Sequence, residues 1–394
     1  MGRPGQHRRA LGCPCRAVGR RRCRRRLAAL AQRQQRRLRG STRGYPRLRD
    51  VRGGIGAEAR IAVTHARRVA VVAVAAGAVA GALAACAPDQ EPAIDACPSG
   101  AVVIGASASD LQEALDGAQP GAVIRLADTT YAGRFTITVA GTDDRPIVLC
   151  GPGSARIDGG DTGSGYALHL DGAAHWELRG FAVSGGAKDI VLDGASHNEL
   201  QGLTVSNTGQ EGVHLRAGSS DNLVQGLVVS DTGKTTPEYG EGIYVGTATS
   251  NWCDISACEP DRSDRNRVLD NKVFAVTAEA VDVKEGTTGG ELRGNSLVLG
   301  ETAVVDSVVD VKGNEWTVAG NTIDAAGDIG IQIHSVAPGW GARNDLSANT
   351  FHVAQDAVAI AVVGAARGLG NRVGCDNTVP DGPVTIAGAT CATN

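Results

Sequence analysis

The sequence predicts an all-β protein, a parallel β-solenoid preceded by a short helix. From Gly165 onward the chain restates itself: "GYALHLDGAAHWELRGFAVSGG" is followed by "KDIVLDGASHNELQGLTVSNTG" and "EGVHLRAGSSDNLVQGLVVSDTG". Each copy holds two or three short strands of alternating apolar residues, separated by Gly, Asn and Asp. The apolar positions Leu168, Ile190 and Val213 lie 22 and 23 residues apart. Repeats of this period with strands and no helices are typical of stacked β coils, which bury their apolar faces only against one another.

Composition and a recurring asparagine support the narrow interior of a solenoid. Aromatic residues make up only 3% of the chain, and the inward positions are Val, Leu, Ile and Ala. Asparagine returns in "DNKV", "GNSL", "GNTI" and "ANTF". Because Asn tolerates left-handed backbone and its amide can bond from coil to coil, we expect a turn ladder of four residues: Asn271, Asn295, Asn321 and Asn349.

The front of the chain differs from the rest and divides into three parts. Residues 1–62 are Arg-rich, and the first 60 of them hold 19 Arg, no Lys and two acidic residues. Such a segment cannot bury a core. We interpret it as lying upstream of the native start; a basic arm that binds nucleic acid is the alternative. Residues 63–86 are predicted to be an export signal, 87–100 a linker, and 101–394 the β-solenoid domain.

The export signal ends in a motif for lipid attachment. Arg67 and Arg68 precede the uncharged Ala- and Gly-rich stretch 69–82, and "LAAC" at residues 83–86 resembles a bacterial lipobox. Cys86 is therefore the predicted lipidation site, and the protein is expected outside the cytoplasm, held to a membrane by lipid or secreted. A plain membrane anchor is the alternative, but the apolar span is short and weakly hydrophobic.

Charge and cysteine content of the remaining chain agree with export. Residues 69–394 carry 18 Lys and Arg against 40 Asp and Glu, a net charge of about −22. A domain this acidic is a poor nucleic-acid binder, and an anionic substrate would require a cation to mediate. Six cysteines follow residue 86, an even number that suits an oxidising compartment. Pairing nearest neighbours, one of 15 possible arrangements, predicts Cys97–Cys150, Cys253–Cys258 and Cys375–Cys391.

A segment ahead of the repeats resembles a known family. "DLQEALDGA" predicts an amphipathic helix, with Ser107 or Ser109 as N-cap, that covers the open end of the solenoid. This helix, the strands in "PGAVIRLADTTYAGRFTI" and the turn "DDRPIVLCGPG" resemble the opening of right-handed parallel β-helix polysaccharide lyases. The pectate-lyase-like superfamily and the chondroitinase B and alginate lyase group are the most similar, over about residues 100–370. The resemblance implies a right-handed helix and a lysine or arginine acting beside Ca²⁺ held by acidic side chains. On this chain it reaches Lys284 and its neighbouring carboxylates; the family's arginine on the next coil has no counterpart.

The repeat also predicts which side chains share one outer face. Alternate residues of a strand face opposite ways, and successive coils lie roughly 4.8 Å apart. With the apolar positions inward, the outward pairs are His169/Asp171, Val191/Asp193, His214/Arg216, Tyr244/Gly246, Asp282/Lys284, Asp310/Lys312 and Gln332/His334. The phrase Val-Asp-Val-Lys, at residues 281–284 and 309–312, thereby stacks two carboxylates and two ammonium groups. Two oversized coils, 30 and 38 residues long between Val213, Ile243 and Val281, add long loops beside this face.

These residues suggest the chemistry of polyuronate cleavage by β-elimination. That reaction needs the uronate carboxylate neutralised, a base for the proton next to it, and an acid for the leaving oxygen. Lys284 or Lys312 could be the base, since a neighbouring ammonium lowers a lysine's pKa, and Tyr244 or His334 the acid. Asp282 and Asp310, with Glu279 or Glu241, could hold Ca²⁺. The residues expected to bind substrate are His214, Arg216, Gln332, Trp252 and Trp340.

Three functions stay open on sequence grounds. The first is a Ca²⁺-dependent lyase acting on an acidic polysaccharide as a monomer. The second is a glycoside hydrolase that uses Asp282 and Asp310 as acid and base, spaced for a retaining mechanism. The third is a non-catalytic surface protein that binds glycan, in which crossed ion pairs such as Asp282 to Lys312 only stabilise a solvated face.

Overall fold

The computed structural model describes residues 97–393 except 326–328, 355–356 and 381. Within that part it is a parallel β-solenoid built from three sheets. The strands, numbered in chain order, are β1 Val102–Val103, β2 Val123–Arg125, β3 Thr130–Ala132, β4 Phe135–Ile137, β5 Ile147–Cys150, β6 Arg156–Asp158, β7 Tyr166–Asp171, β8 Trp176–Arg179, β9 Ala182–Ser184, β10 Lys188–Asp193, β11 Glu199–Gln201, β12 Thr204–Ser206, β13 Val213–Arg216, β14 Leu223–Gln225, β15 Val228–Ser230, β16 Ile243–Val245, β17 Arg267–Leu269, β18 Lys272–Val276, β19 Val281–Val283, β20 Glu291–Arg293, β21 Ser296–Leu299, β22 Ser307–Val311, β23 Thr317–Ala319, β24 Thr322–Ala325, β25 Ile329–Ile333, β26 Asp345–Ser347, β27 Thr350–Val353, β28 Ile360–Val362, β29 Arg372–Val373 and β30 Ile386–Ala387.

Each coil contributes one strand to each of three sheets. Sheet 1 has ten strands in the order β4-β7-β10-β13-β16-β19-β22-β25-β28-β30. Sheet 2 has eleven, β1-β2-β5-β8-β11-β14-β17-β20-β23-β26-β29, and sheet 3 has nine, β3-β6-β9-β12-β15-β18-β21-β24-β27. Every strand of one coil pairs in parallel with its equivalent on the next, as in Ile190 with Leu168 and Val213. The repeat spacing read from the sequence therefore predicted both the architecture and its register.

The helix predicted ahead of the coils forms at the predicted place. Helix α1 spans Ala108–Asp116, and the hydroxyl of Ser107 accepts a hydrogen bond from the Asp110 backbone N–H while the Asp110 carboxylate accepts one from the Ser107 N–H. This reciprocal capping box satisfies helix-terminal donors that would otherwise lack partners. The apolar face of α1 buries Leu111 and Leu115 in the same core as the coils.

The interior is one apolar core of Val, Leu, Ile and Ala, with few large residues. Trp176 and Trp316 are fully buried in it and therefore do not act as sugar platforms. The indole N–H of Trp176 donates to the Val139 carbonyl, and that of Trp316 to the Thr287 hydroxyl. Both tryptophans thus keep their one polar atom satisfied inside the core.

Two asparagine ladders hold the turns together. In the first, the predicted one, each side-chain oxygen accepts from the backbone and side-chain nitrogens of the asparagine one coil earlier, from Asn271 through Asn349 to Asn377. A second ladder, which the sequence reading missed, joins Asn198, Asn222 and Asn266 in the same way. All these amides lie out of contact with solvent, so each bond replaces water for a buried polar group.

The three predicted disulfides all form: Cys97–Cys150, Cys253–Cys258 and Cys375–Cys391. The export signal with Cys86 lies outside the described residues. Among the residues that are described, no helix is long and apolar enough to cross a membrane.

Candidate active site

Two columns of side chains run along the outer face of sheet 1, in the predicted register. Asp282 pairs with Tyr244 on one side and with Asp310 on the other, and Arg216 pairs with Asp193. The tyrosine column consists of His169, Val191, His214, Tyr244, Asp282, Asp310 and Gln332. The lysine column, two residues further along each strand, consists of Asp171, Asp193, Arg216, Gly246, Lys284, Lys312 and His334. The Val-Asp-Val-Lys repeat therefore does stack its carboxylates and its ammonium groups.

The two columns are much less solvated than an outer face would be. Asp282 is 0% exposed, Asp310 4% and Lys312 7%, and Tyr244, His214 and Gln332 are buried as well. Long side chains stacked at the coil spacing of roughly 4.8 Å fill the space above one another, which excludes water between them. The solvated face of the third alternative is therefore wrong for this part of the sheet.

Asp282 is the centre of a buried ion cluster. Its Oδ2 lies 2.5 Å from the Nζ of Lys284, and its Oδ1 lies 2.8 Å from the Nζ of Lys312. Lys312 also contacts Asp310, with 2.7 Å between Nζ and Oδ2. The predicted crossed pair from Asp282 to Lys312 thus exists, and the Lys312 ammonium fills the space between the two aspartates.

The carboxylates around the two lysines set their protonation. Burial alone would lower the pKa of Lys284, but the charge of Asp282, with those of Glu241 and Glu279, outweighs it and raises that pKa above its usual value. The pKa of Lys312 is raised in the same way by Asp282 and Asp310. The expected lowering of a lysine pKa by its ammonium neighbour is therefore wrong in direction, because acidic groups outnumber that neighbour.

Three carboxylates, that of Asp282 among them, converge with too little positive charge to balance them. Oxygens of Glu241, Glu279 and Asp282 all lie within 4.8 Å of one another, and Oε2 of the buried Glu241 has no hydrogen-bond partner. Burial, followed by the charge of Asp282, raises the pKa of Glu279 to about 7. Burial, together with Glu211 and Asp282, raises the pKa of Glu241 well above its usual range. Asp310 is not in this converging group.

Tyr244 lies where the ion cluster meets an open cleft. The Lys284 ammonium is 4.8 Å from the centre of its ring, and the His214 ring meets it edge-on at 4.3 Å. Burial and the nearby carboxylates, Asp282 foremost, raise the pKa of Tyr244 well above its usual value, so the phenol keeps its proton. Burial lowers the pKa of His214, and the neutral ring donates from Nε2 to the Gly246 carbonyl, 3.0 Å away.

The cleft itself is a cavity of about 320 Å³ walled by both oversized loops. Its base is formed by Lys188, Glu211, His214, Arg216 and Tyr244. The loop before β16 contributes Tyr239, and the loop after it contributes Thr247, Asn251, Asp254 and Ile255. The second loop contains helix α2 (Trp252–Ile255) and the Cys253–Cys258 disulfide. The long loops beside the columns therefore form walls of this cleft, as the coil lengths predicted.

A buried aspartate and a buried glutamate fix the base of the second loop. Asp261 accepts hydrogen bonds from the backbone N–H groups of Ala217 and Gly218 and from the hydroxyl of Thr247. Glu285 accepts a bond from the backbone N–H of Thr249. These contacts tie the loop to the neighbouring coils on both sides, so its cleft wall is held in place.

Four other predicted site residues do not line the cleft: Trp252, Trp340 and Gln332, expected to bind substrate, and His334, one of the two expected acids. The Trp252 indole donates to the Thr247 carbonyl, and the Trp340 ring lies 5.8 Å from the Arg262 guanidinium. His334 is half-exposed and 4.0 Å from Asp310, while Gln332 is buried next to it. None of these four lines the cavity that contains Tyr244.

Sequence reasoning missed Lys188, Glu211 and Asp254. Lys188 forms an ion pair with Glu211 at the edge of the cleft. The signal was present, since three of the five lysines of the chain, Lys188, Lys284 and Lys312, lie along this one face. The glutamates before β13, β16 and β19, which are Glu211, Glu241 and Glu279, contribute the negative charge around these lysines.

No protein-family model matches the chain, and no curated protein does. Among solved structures, an alginate lyase from Paenibacillus sp. str. FPU-7 is 32% identical, with a TM-score of 0.68 over 74% of this chain and 99% of that one. Pectate lyase Pel9A is 13% identical with a TM-score of 0.50, covering 72% of this chain and 81% of its own. ORF18 of Geobacillus virus E2 is 12% identical with a TM-score of 0.51, covering 74% and 60%. The last two likenesses concern the fold alone. From its identity and coverage with the first, the chain belongs to the same family of parallel β-helix polysaccharide lyases as the Paenibacillus alginate lyase.

Proposed function

We propose that this protein cleaves a polyuronate such as alginate by β-elimination at Tyr244 and Lys284. The observation that carries the proposal is their juxtaposition: a neutral phenol that lines a loop-walled cleft, and an ammonium 4.8 Å above its ring. The relative from Paenibacillus is named as an alginate lyase, which supports a polyuronate as substrate.

The elimination moves two protons, breaks the C5–H and C4–O bonds, and forms a C4–C5 double bond. A base takes the proton on C5 of the uronate, the C–H electrons form a double bond between C4 and C5, and the C4–O bond breaks. We assign the proton for the leaving oxygen to the Tyr244 hydroxyl, since its raised pKa keeps it protonated. The C5 proton is assigned to Lys284, the predicted base.

For Lys284 to accept a proton, its resting proton must first leave. Asp282 Oδ2 is 2.5 Å from its Nζ, and Glu279, with a pKa of about 7, lies in the same carboxylate group. With no cation bound to Glu279, these contacts offer the proton a path to an acceptor that titrates near neutral pH. Lys312 is more deeply enclosed and fixes Asp282, so we assign it a supporting role.

A divalent cation fits the carboxylate group. The donors are hard oxygen ligands of the kind Ca²⁺ takes, and the unpartnered Oε2 of Glu241 needs a positive neighbour. The face carries five carboxylates, from Glu211, Glu241, Glu279, Asp282 and Asp310, against three ammonium groups, from Lys188, Lys284 and Lys312. We therefore propose Glu241, Glu279 and Asp282 as ligands; Asp310, the other predicted ligand, would serve only with Lys312 displaced. When bound, the ion would neutralise these carboxylates and polarise that of the substrate.

The geometry gives no support to the hydrolase alternative. Asp282 and Asp310 are both buried, and Lys312 lies between them, so neither carboxylate reaches a sugar or a water. The predicted place of action is outside the cytoplasm, with an acidic polysaccharide as the partner and the lipid on Cys86 as the anchor. The three disulfides support an oxidising compartment.

A polysaccharide panel tests the function. Alginate, polygalacturonate and a neutral glucan are each incubated with the protein, with and without chelator, and ultraviolet absorbance is followed. We expect absorbance from the new C4–C5 double bond to rise with a polyuronate and not with the glucan. Reducing ends formed without that absorbance would overturn the assignment.

A further inference from the structure

Two cations stand two coils apart on the lysine column, with a glycine between them. Gly246 follows Val245, which pairs with Leu215 on one side and Val283 on the other, so it lies between Arg216 and Lys284. Two coils span roughly 10 Å. A Cβ on Gly246 would come within 2.6 Å of the Thr287 Cγ2, so the position excludes a side chain. Gly246 is buried against Thr287 and has no side chain, so no other charged group separates the two cations on the lysine column, on the coil that carries Tyr244.

Arg216 is held in one orientation from several sides. Its Nε and Nη2 donate to the two carboxylate oxygens of Asp193, at 2.6 and 3.0 Å, and Nη2 also donates to the Tyr166 hydroxyl at 2.8 Å. The guanidinium carbon lies 5.5 Å from the centre of the Tyr166 ring. Asp193 is in turn fixed by Nε2 of His169, 2.9 Å away. Nη1 makes no hydrogen bond to any described residue, and Arg216 lines the cleft, so a preorganised donor remains for a ligand.

The spacing of the two cations fits an extended uronate chain. In a 1,4-linked chain whose successive rings are turned over, the carboxylates on one edge recur at every second sugar. Two pyranose residues have about the length of two coils, roughly 10 Å. We propose, on the basis of the function above, that Arg216 binds the carboxylate of a second uronate, two sugars away from the uronate at Lys284. The intervening sugar lies on the coil of Gly246, against Tyr244, beside which the bond is cut.

The opposite wall has the charge that would orient the ring. Asp254, on the loop after β16, lines the same cavity and is exposed, and it forms no ion pair with a described residue. A carboxylate there repels the acid group of a uronate and accepts hydrogen bonds from its hydroxyls. The sugar at this position is thus oriented with its carboxylate toward Arg216.

The test compares uronate oligomers of different length. A disaccharide fills only the places at Lys284 and Gly246, whereas a trisaccharide also reaches Arg216. We expect the wild type to gain kcat/KM from disaccharide to trisaccharide. In Arg216→Gln, kcat/KM should fall about tenfold to a hundredfold on the trisaccharide, mainly through KM, and little on the disaccharide.

Arg265 supplies a matched control, because its Nε and Nη2 also donate to one aspartate, Asp221, away from the cleft. Arg265→Gln should change neither rate. If Arg216→Gln does not fold, Arg216→Lys is the second variant, because it keeps the charge beside Asp193 but not the planar guanidinium. It should show a smaller loss of kcat/KM, confined to the trisaccharide. Equal losses on both oligomers, or no loss on either, would overturn the proposal. A wild type that forms no unsaturated product from any polyuronate would overturn the underlying function as well.

Discussion

Lys284 and Lys312 share Asp282 as a partner, but only Lys284 meets the ring of Tyr244. We expect Lys284→Ala to lower kcat on a polyuronate by a factor on the order of 10²–10⁴, the usual loss when general acid–base catalysis is removed. Lys284→Arg should be nearly as inactive, because an arginine keeps the charge but does not give up its proton. Steady-state rates from ultraviolet absorbance measure both.

Lys272, an exposed lysine on sheet 3, provides the control for that comparison. Lys272→Ala should keep the wild-type rate. Substantial activity in Lys284→Arg would show that the residue acts through its charge alone and would remove it from the proton transfer.

Substitution of Lys312 should change the stability of the protein more than its catalytic rate. Its removal leaves Asp282 and Asp310 buried together without the ammonium between them. We expect Lys312→Met to lower the free energy of unfolding by about 3–5 kcal/mol, the usual cost of breaking a buried ion pair from one side. Denaturant unfolding measures it. A variant as stable as Lys272→Ala would show that the cluster contributes no stability.

Glu279 gives the protein a pH dependence of known sign. Its pKa is raised from 4.5 to about 7 in the folded state, so folding favours its protonated form. The stability from this group is therefore complete below pH 4.5 and is lost as pH rises through about 7. With chelator present, Glu279→Gln should lose less stability than the wild type between pH 5 and 7.5. Melting temperatures at the two pH values test this, with the exposed Glu238→Gln as control; identical shifts in all three proteins would contradict it.

For single residues, the sequence predicted the position of a side chain on the sheet better than its protonation state. Alternation along a strand places Asp282 and Lys284 on one face without any knowledge of what covers them. Whether a lysine gains or loses basicity depends on the number of carboxylates within a few ångströms. Glu241 and Glu279 come from turns whose side-chain directions the repeat does not specify, so the raised lysine pKa could not be predicted.

The asparagine ladder is the element that ties coil to coil in the turns. Asn295 donates to the carbonyls of Val268 and Arg293, and its oxygen accepts from the backbone N–H of Asn271. Asn295→Ala should cost roughly 2–4 kcal/mol, because at least two buried backbone groups lose their partners. Thermal or denaturant unfolding measures the loss. Asn251→Ala, at an exposed loop position, should be close to neutral; a similarly small effect of Asn295→Ala would mean that water replaces the ladder.

Regularity decided which elements could be predicted. The first ladder recurs as Asn in consecutive coils, so it is visible in the sequence. The second is interrupted where Trp176 and Trp316 take the asparagine position, and their backbone N–H groups still bond to Asn198 and Asn344. The length of the oversized coils predicted the two loops. It did not predict which loop side chains line the cleft, because an irregular segment has no repeat from which the direction of a side chain can be inferred.

At the scale of the whole molecule, an acidic solenoid must accept an acidic polymer. The described cleft resolves this locally, because Lys188 and Arg216 line it whereas Asp282 and Asp310 are buried and do not. Net charge alone therefore predicts that some cation is required, and the structure locates the positive side chains of the cleft.

Mass spectrometry of the products from alginate tests the central claim most directly. Elimination leaves each new non-reducing end with a C4–C5 double bond, so every such oligosaccharide is lighter by one water than the product of hydrolysis. We predict that the wild type yields only these lighter oligosaccharides and that Lys284→Ala yields almost none in the same time. Products with the full mass of hydrolysed chains, or intact polymer after long incubation with folded wild-type protein, would contradict the account.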